Sequence, residues 1–404
     1  MRKNILILTH QYSCDIKPNG RWTKVVSYFA QEWAKDNNVL VIINSTKFPK
    51  MYYFFGGIMR LIAKLTSKDP ALITDQDWRQ PFDFYDNGIR IYNRPMLKFL
   101  PHGKYFKFQL DNQAKEIISI LDENKFKPDI IDGHWLNPQL DLLISLGEFY
   151  KAKTALVVHS EAVTSRYYTK SNAKKLNQLD KVGCRSHFGA KTLFEKLNLK
   201  QKPFVCSSGI TDKYAKTAVE NKIIFPTTKR NIVTIGRLMD WKCIDSAIKG
   251  VDDALKGTDY YYSIMGDGPE MQSLQKLIDK RGITEKVKLL GRLPREKVID
   301  NLKDADIFVL ISEHETFGLV YLEAMLQGCI TIAAWEGGVD GIIEDGINGF
   351  LCRQDDSEDL ADVIKRIVQL PQGKLQDISR KAQETALNYT DSKVAKRYLD
   401  IISQ

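Results

Sequence analysis

One alternation runs the length of the chain and narrows its fold more than any other feature. Short apolar runs recur at 5–9, 39–44, 90–93, 129–132, 155–158 and 181–182, then at 232–235, 261–265, 287–290, 306–310 and 329–333, with helix-length amphipathic stretches between them. Parallel neighbouring strands need a crossover connection, and a helix is the usual one. The alternation therefore predicts an α/β chain with parallel sheets covered by helices on both faces. At 404 residues there is room for two such domains. A new first strand at 231–235 follows Pro226-Thr-Thr-Lys-Arg230. We expect one doubly wound domain over 1–213, a linker over 214–228 and a second domain over 229–389. In such sheets ligands bind at the C-terminal ends of the strands, so the expected site is a cleft between the domains.

Composition removes several classes. With 43% hydrophobic and 27% charged residues, the chain is neither disordered nor fibrous. Its apolar runs are too short to span a bilayer. No small-residue cleavage site follows the first apolar run, so no signal peptide is expected. The six cysteines (14, 184, 206, 243, 329 and 352) show no metal-ligand spacing and read as buried, reduced thiols of a cytosolic protein.

Charge is unevenly divided. Residues 1–200 hold 31 Lys and Arg against 19 Asp and Glu, a net of +12, whereas residues 201–404 hold 28 against 31, a net of −3. The first half is expected to meet an anionic partner. Within it, residues 47–68 are aromatic and then amphipathic. Ile58, Leu61, Ile62 and Leu65 share one helical face, and Arg60, Lys64 and Lys68 share another. A basic helix on an anionic membrane has this pattern, and so does a surface helix packed on its own domain. No helix-turn-helix, ribonucleoprotein or zinc signature suggests a nucleic-acid partner.

Four segments point to chemistry. In Ser312-Glu-His-Glu-Thr-Phe-Gly-Leu-Val-Tyr-Leu-Glu323, a helix beginning near Gly318 would leave the amides of Gly318, Leu319 and Val320 unpaired, an anion site suited to a diphosphate. Glu315 and Glu323 would flank it and accept hydroxyl hydrogen bonds, or else serve as a helix cap and a solvated helix residue. Arg237 and Lys242, after the strand 232–235, would neutralise a diphosphate, or simply be loop cations. Gly266-Asp-Gly-Pro269 and Asp345-Gly-Ile-Asn-Gly349 read as structural turns. In the first half, Gly20 stands in a loop suited to close ligand approach. His134-Trp135 and His159 follow strands at the ligand-binding edge.

Taken in order, these residues resemble the retaining glycosyltransferases of the family-4 type. The signature is Glu315-x7-Glu323 with internal Phe317-Gly318-Leu319. Gly236-Arg237-Leu238 with Lys242, Gly266-Asp-Gly-Pro269, Leu290-Gly291, Gly337-Gly338 and Glu344-Asp-Gly-Ile-Asn-Gly349 follow in the family's order. The likeness is tight over 229–352 and looser over 1–213. It implies the GT-B fold, two Rossmann-like domains facing across a cleft, with residues 390–404 packing back on the first domain. It also implies a nucleotide-sugar donor, no cofactor and no metal. Arg237 and Lys242 would hold the diphosphate, helped by the Gly318 and Leu319 amides. Glu323 would take the ribose and Glu315 the donor sugar, with Phe317, Arg292 and Gly20 also on the donor side. His159 would approach the sugar, and His134, Trp135, Arg21 and Glu161 would serve the acceptor. Three positions depart from the family pattern. Arg21 stands where a second glycine is common. Cys243 stands where glycine is usual, which predicts a slightly reshaped phosphate loop. Ser160-Glu161 follows His159 where aspartate is frequent.

The resulting expectation is a retaining, metal-independent hexosyltransferase. It would move sugar from a UDP-sugar, or next from GDP-mannose, to a glycan or lipid-linked acceptor. That places it in capsule, lipopolysaccharide or glycolipid synthesis, cytoplasmic and peripheral on the inner face of the plasma membrane. A nucleotide-sugar epimerase or a glycosidic-bond phosphorylase would use the same architecture, and a non-catalytic binder of anionic surfaces would explain the charge alone. Replacing Arg60, Lys64 and Lys68 by glutamate should release the protein from anionic liposomes. Unchanged sedimentation with the liposomes would show that the 58–65 stripe is internal packing.

Overall fold

The computed structural model describes residues 2–13, 24–50, 76–99, 103–219, 222, 225, 229–313 and 315–404. Gly20, Arg21, Cys14 and most of the 47–68 segment lie outside the described residues. The chain forms two compact units. One comprises Met1–Arg185, Gly189–Cys206 and Ala395–Gln404, and the other Ser186–Phe188 and Ser207–Val394.

The first unit is built on strands β1 (Asn4–Thr9), β2 (Asn38–Ile43), β3 (Thr46–Lys47), β4 (Phe82–Asp86), β5 (Ile89–Asn93), β6 (Met96–Leu97), β7 (Ile130–His134), β8 (Lys153–Val158), β9 (Lys181–Cys184) and β10 (Phe204–Val205). Eight of them form one sheet in the order β10-β9-β8-β7-β1-β2-β5-β4, and β3 pairs with β6. Ile5, Leu6, Ile7 and Leu8 of β1 are all fully buried, which is why this strand is apolar on both faces. The expected strands are present. β4 is an addition, antiparallel to β5 through a turn in which Asn87 and Gly88 take φ of 51° and 81°. That Asn-Gly pair is the hairpin signal. His134 is the last residue of β7, paired in register with Val157, and so lies within the strand rather than after it.

The second unit carries β11 (Arg230–Ile235), β12 (Tyr260–Met265), β13 (Val287–Gly291), β14 (Ile307–Leu310), β15 (Ile330–Ala334) and β16 (Phe350–Cys352). Their order, β13-β12-β11-β14-β15-β16, is the doubly wound arrangement with its switch point between β11 and β14. The change of unit comes at Ser207, earlier than the expected linker. Tyr214 is buried in the second core, and Ile210 pairs with Thr390 in the same unit. Much of 214–228 lies outside the described residues. The final helix, Asp391–Ser403, joins the first unit from Ala395 onward. There Trp33 Nε1 donates to the Ala395 carbonyl at 2.9 Å, and Lys153 Nζ donates to the Ser403 carbonyl at 2.7 Å. Among the described residues no helix is long and apolar enough to cross a membrane. Cys184, Cys206, Cys243, Cys329 and Cys352 are buried thiols.

The loops at the upper edge of the second sheet are stacked backbone on backbone. The Gly236 amide donates to Met265 O (3.0 Å), Leu238 to Asp267 O (2.9 Å) and Gly266 to Gly291 O (2.8 Å). A Cβ on Gly266, whose φ is 149°, would stand 1.8 Å from Gly236 O. Gly266→Ala should therefore cost about 3 kcal/mol. Gly346→Ala, with φ of 72° and open space around it, should cost only about 1 kcal/mol. Urea unfolding midpoints of the two variants provide the check.

Candidate active site

In the second unit an open pocket of about 570 Å³ lies where the chain leaves β11, β13 and β14. Gly236 and Lys242 come from the loop after β11, Arg292 and Arg295 from the segment after β13, and Glu315, Gly318, Leu319 and Glu323 from the connection after β14 and its helix, Leu319–Leu326. Six of the sequence-predicted donor residues thus meet in one place: Lys242, Arg292, Glu315, Gly318, Leu319 and Glu323.

Lys242 and Glu315 form an ion pair with both side chains almost withdrawn from water, 9% and 13% exposed. The Lys242 ammonium also lies 4.4 Å from the Trp241 ring centroid. Gly318 caps the helix with φ of 77°, and a Cβ there would meet the Tyr321 ring at 2.5 Å. The first amides of that helix have no acceptor within it, and its dipole adds positive potential at the same point.

Glu323 is not on a solvated helix face. Tyr321 through Leu326 are all buried, and the Glu323 side chain is 7% exposed. Arg295 Nη2 donates to its carboxylate at 2.6 Å. Burial pushes the Glu323 carboxyl above its usual range, and the Arg295 guanidinium pulls it back in part. Arg295 itself lies 4.8 Å from the Tyr214 ring centroid. Sequence reasoning missed both Arg295 and Tyr214. The one signal was Pro294-Arg295 at the mouth of a helix after β13.

Two predicted residues stand elsewhere. Arg237 is exposed and does not line the pocket, so Lys242 is the member of the expected pair that does. Phe317 is 4% exposed in the second core, and a Cβ on Gly338 would press to 2.6 Å on its backbone. Phe317 therefore anchors the loop that carries Glu315 rather than facing the pocket. Cys243 takes φ 53° and ψ 39°, the left-handed conformation a glycine would supply, so the turn after Lys242 is kept rather than reshaped.

The first unit gathers its own cluster at the switch point between β1 and β7. His159, just past β8, stacks on Trp135 with ring centroids 3.9 Å apart. Its Nε2 lies 3.2 Å from His134 Nδ1. His134 is fully buried, and its Nε2 sits 3.1 Å from Asp132 Oδ2 without an aligned hydrogen bond. That burial removes His134 from direct ligand contact and makes it a support for His159. Burial, with Arg185 next, drives the His159 imidazole well below its usual range, so it is neutral. Trp135 holds φ of 68°, a strained left-handed conformation for a bulky residue. His10, at the end of β1, packs edge-on to Trp135 at 4.5 Å, and burial with nearby Lys98 lowers it to about 3. Sequence reasoning had not singled it out. Glu161 lies in the 3-10 turn Ser160–Val163 and is placed by its backbone only. Among the described residues no group of three or more His, Cys, Asp or Glu is arranged to hold a metal ion.

Comparison with known proteins points to glycosyl transfer. Residues 215–385 match the family described as glycosyl transferases group 1. A glycosyltransferase of Methanocaldococcus jannaschii is 25% identical over 343 residues, covering 81% of this chain and 89% of that protein. The N-acetyl-alpha-D-glucosaminyl L-malate synthase of Bacillus anthracis is 30% identical over 135 residues, 33% of this chain and 35% of that enzyme. The crystal structure of Anabaena HepE in complex with UDP superposes over 100% of both chains, with a TM-score of 0.69 at 18% identity. The fold is GT-B. Over residues 215–385 the chain matches the group 1 glycosyl transferases, and together these likenesses support a glycosyltransferase of the family-4 type.

Arg295→Ala leaves Glu323 buried without its cation and should cost about 1–2 kcal/mol at pH 7. The variant's Glu323 pKa lies above its unfolded value of about 4.3. The deficit should therefore vanish below that value and grow as pH rises through the raised folded one. Thermal unfolding of variant and parent from pH 4 to 8 tests this.

Proposed function

We propose that the protein is a retaining hexosyltransferase that uses a nucleotide-diphosphate sugar, with UDP-sugars favoured over GDP-mannose. The observation that carries this reading is the pocket at the β11/β14 switch point. It joins a nearly buried cation, a helix N-terminus and two carboxylates held by separate partners. The UDP bound by HepE is consistent with it.

In this reading the diphosphate enters against Lys242 and the amides of Gly318 and Leu319, with Arg292 at the rim. Charge that develops on the leaving diphosphate is met by groups already in place, which is the main catalytic contribution and asks nothing of a metal. Lys242 gives up Glu315 as partner when the diphosphate arrives. Glu315 is then free to accept hydrogen bonds from the donor sugar and orient its anomeric carbon, while Glu323, fixed by Arg295, accepts those of the ribose. The acceptor hydroxyl attacks that carbon on the face from which the diphosphate departs. A phosphate oxygen of the leaving group takes its proton, so configuration is retained. His159, neutral, donates or accepts a hydrogen bond to substrate. The acceptor is a glycan or lipid-linked saccharide of cell-surface polysaccharide or glycolipid synthesis, met at the inner face of the plasma membrane.

A thermal-shift comparison of UDP, GDP and ADP identifies the base, since binding to the native state raises the midpoint. Glu315→Gln and Lys242→Met should each lower transfer about a hundredfold or more, with the fold intact by circular dichroism. The reading fails if no nucleotide sugar binds or is turned over, or if both variants retain full activity. Turnover without acceptor to an epimeric sugar nucleotide would indicate an epimerase, and dependence on free phosphate a phosphorylase.

A further inference from the structure

The last helix of the chain reaches the histidine pair of the first unit through a buried row of polar groups. Asp132 and His134 are two residues apart in β7, so both side chains leave the same face of the strand. Both are fully buried. Tyr398, on the final helix and 2% exposed, donates its hydroxyl to Asp132 Oδ1. Burial, and then the charge of Asp132, raises the Tyr398 hydroxyl well above the usual tyrosine range, so it stays a donor. Its ring is held by Phe29, Trp33 and Phe204, with centroids 5.2, 5.1 and 5.4 Å away. A buried polar row of this kind costs stability unless its members satisfy one another.

One link decides the rest. Asp132 Oδ2 and His134 Nε2 both lack an aligned partner, and they stand 3.1 Å apart. A neutral imidazole carries one ring proton, and the partners of its nitrogens decide where that proton sits. On His134 Nε2 it turns the Asp132 contact into a charge-assisted attraction. On Nδ1 it would leave the Nε2 lone pair against a carboxylate, both withdrawn from water. His134 therefore holds its proton on Nε2 and offers a lone pair at Nδ1. His159 Nε2 lies 3.2 Å from that lone pair and so is the donor between the two rings. The other nitrogen of His159, Nδ1, then bears the lone pair of its ring. Trp135, stacked on His159 at an interplanar angle of 12°, fixes the ring plane. Trp135 also lines an open cavity of about 950 Å³ in the first unit, so the stack borders space that a ligand can enter.

We propose that Tyr398 and Asp132 are positioning residues that fix the tautomer of His159 through His134, so that His159 meets a substrate hydroxyl only as a hydrogen-bond acceptor, at Nδ1. This rests on the reading of the chain as a glycosyltransferase in which His159 approaches the sugar.

Proton–nitrogen correlation spectra of the full chain at pH 8, with isotope-labelled histidine, tell a protonated ring nitrogen from a bare one. His134→Gln and His159→Gln assign the signals. In the parent both rings should carry the proton on Nε2. Asp132→Asn should invert both, because the amide oxygen stays with the Tyr398 hydroxyl and the NH₂ group turns to His134 Nε2. Turnover is measured with whichever of UDP-glucose, UDP-galactose, UDP-N-acetylglucosamine and GDP-mannose the parent uses. Asp132→Asn should lower kcat about a hundredfold, with KM for the nucleotide sugar unchanged within about twofold. Tyr398→Phe should keep both tautomers and lower kcat about tenfold. In the double variant the amide is released to present its oxygen to His134. The parental tautomers should return and kcat rise about tenfold above that of Asp132→Asn, whereas two merely structural defects would add. The proposal is overturned if His159 of the parent carries its proton on Nδ1 or on both nitrogens, or if Asp132→Asn leaves both tautomers as they were. Where Asp132→Asn does not fold, the parental spectra and Tyr398→Phe decide, and an undiminished kcat in Tyr398→Phe overturns it. Failure of the glycosyltransferase reading shows separately, as absence of turnover of all four nucleotide sugars by the parent, and the spectra still decide the tautomers.

Discussion

The pocket of the second unit depends on three close backbone approaches that a side chain would block. Gly266 comes up against the carbonyl of Gly236, Gly268 against that of Leu238 and Gly338 against the backbone of Phe317, each within 2.6 Å of where a Cβ would sit. The first two clamp the β11 loop to the β12 loop and fix where Lys242 begins. The third clamps the β14 connection from behind and fixes Glu315 and the cap at Gly318. Function at this edge is therefore set first by sterics and only then by charge. A displaced loop would separate the lysine from the carboxylate without changing either residue.

The charge that results is stored rather than exposed. A lysine and a glutamate taken out of water lose solvation that their mutual attraction repays only when the geometry is close. Such a pair is a weak source of stability, so its retention at a ligand edge calls for another explanation. In the proposed reading it keeps a cation desolvated and positioned until a more highly charged anion competes for it. The same logic holds for Glu323, which an exposed arginine at 2.6 Å partners in a buried setting. Each carboxylate has a partner before any ligand arrives, and each can exchange that partner for a hydroxyl.

The central parallel strands were legible because burial on both faces makes them continuous apolar runs, as in β1 and β14. The edge strands β4 and β10 and the β3–β6 pair were not. β10 and the β3–β6 pair are two residues long, and β4 interleaves exposed polar residues with its aromatics. Of the site, the β11 and β14 loop residues were visible as an ordered motif. The partners that make Glu323 usable were not, because Arg295 lies 28 positions upstream on another loop and only the sheet order brings it near. Glu323 could be mistaken for a solvated residue because a helix buried nearly all round shows no amphipathic stripe. Phe317 and His134 were misplaced for the opposite reason: each adjoins the site in sequence, and packing turns each inward.

The two units arrange their charges by different means. The second, acidic overall, places one lysine, one helix end and a rim of arginines, and neutralises the lysine internally while it waits. The net charge of −3 over residues 201–404 is no obstacle, because a buried cation acts at close range and distant surface carboxylates are screened. Residues 1–200 carry a net of +12, and the described lining of the cavity in the first unit holds six cations and two carboxylates. A site that exchanges an internal partner favours a ligand that leaves more negative than it came, as a departing diphosphate does. A site built on excess charge favours a ligand whose charge is constant through the reaction.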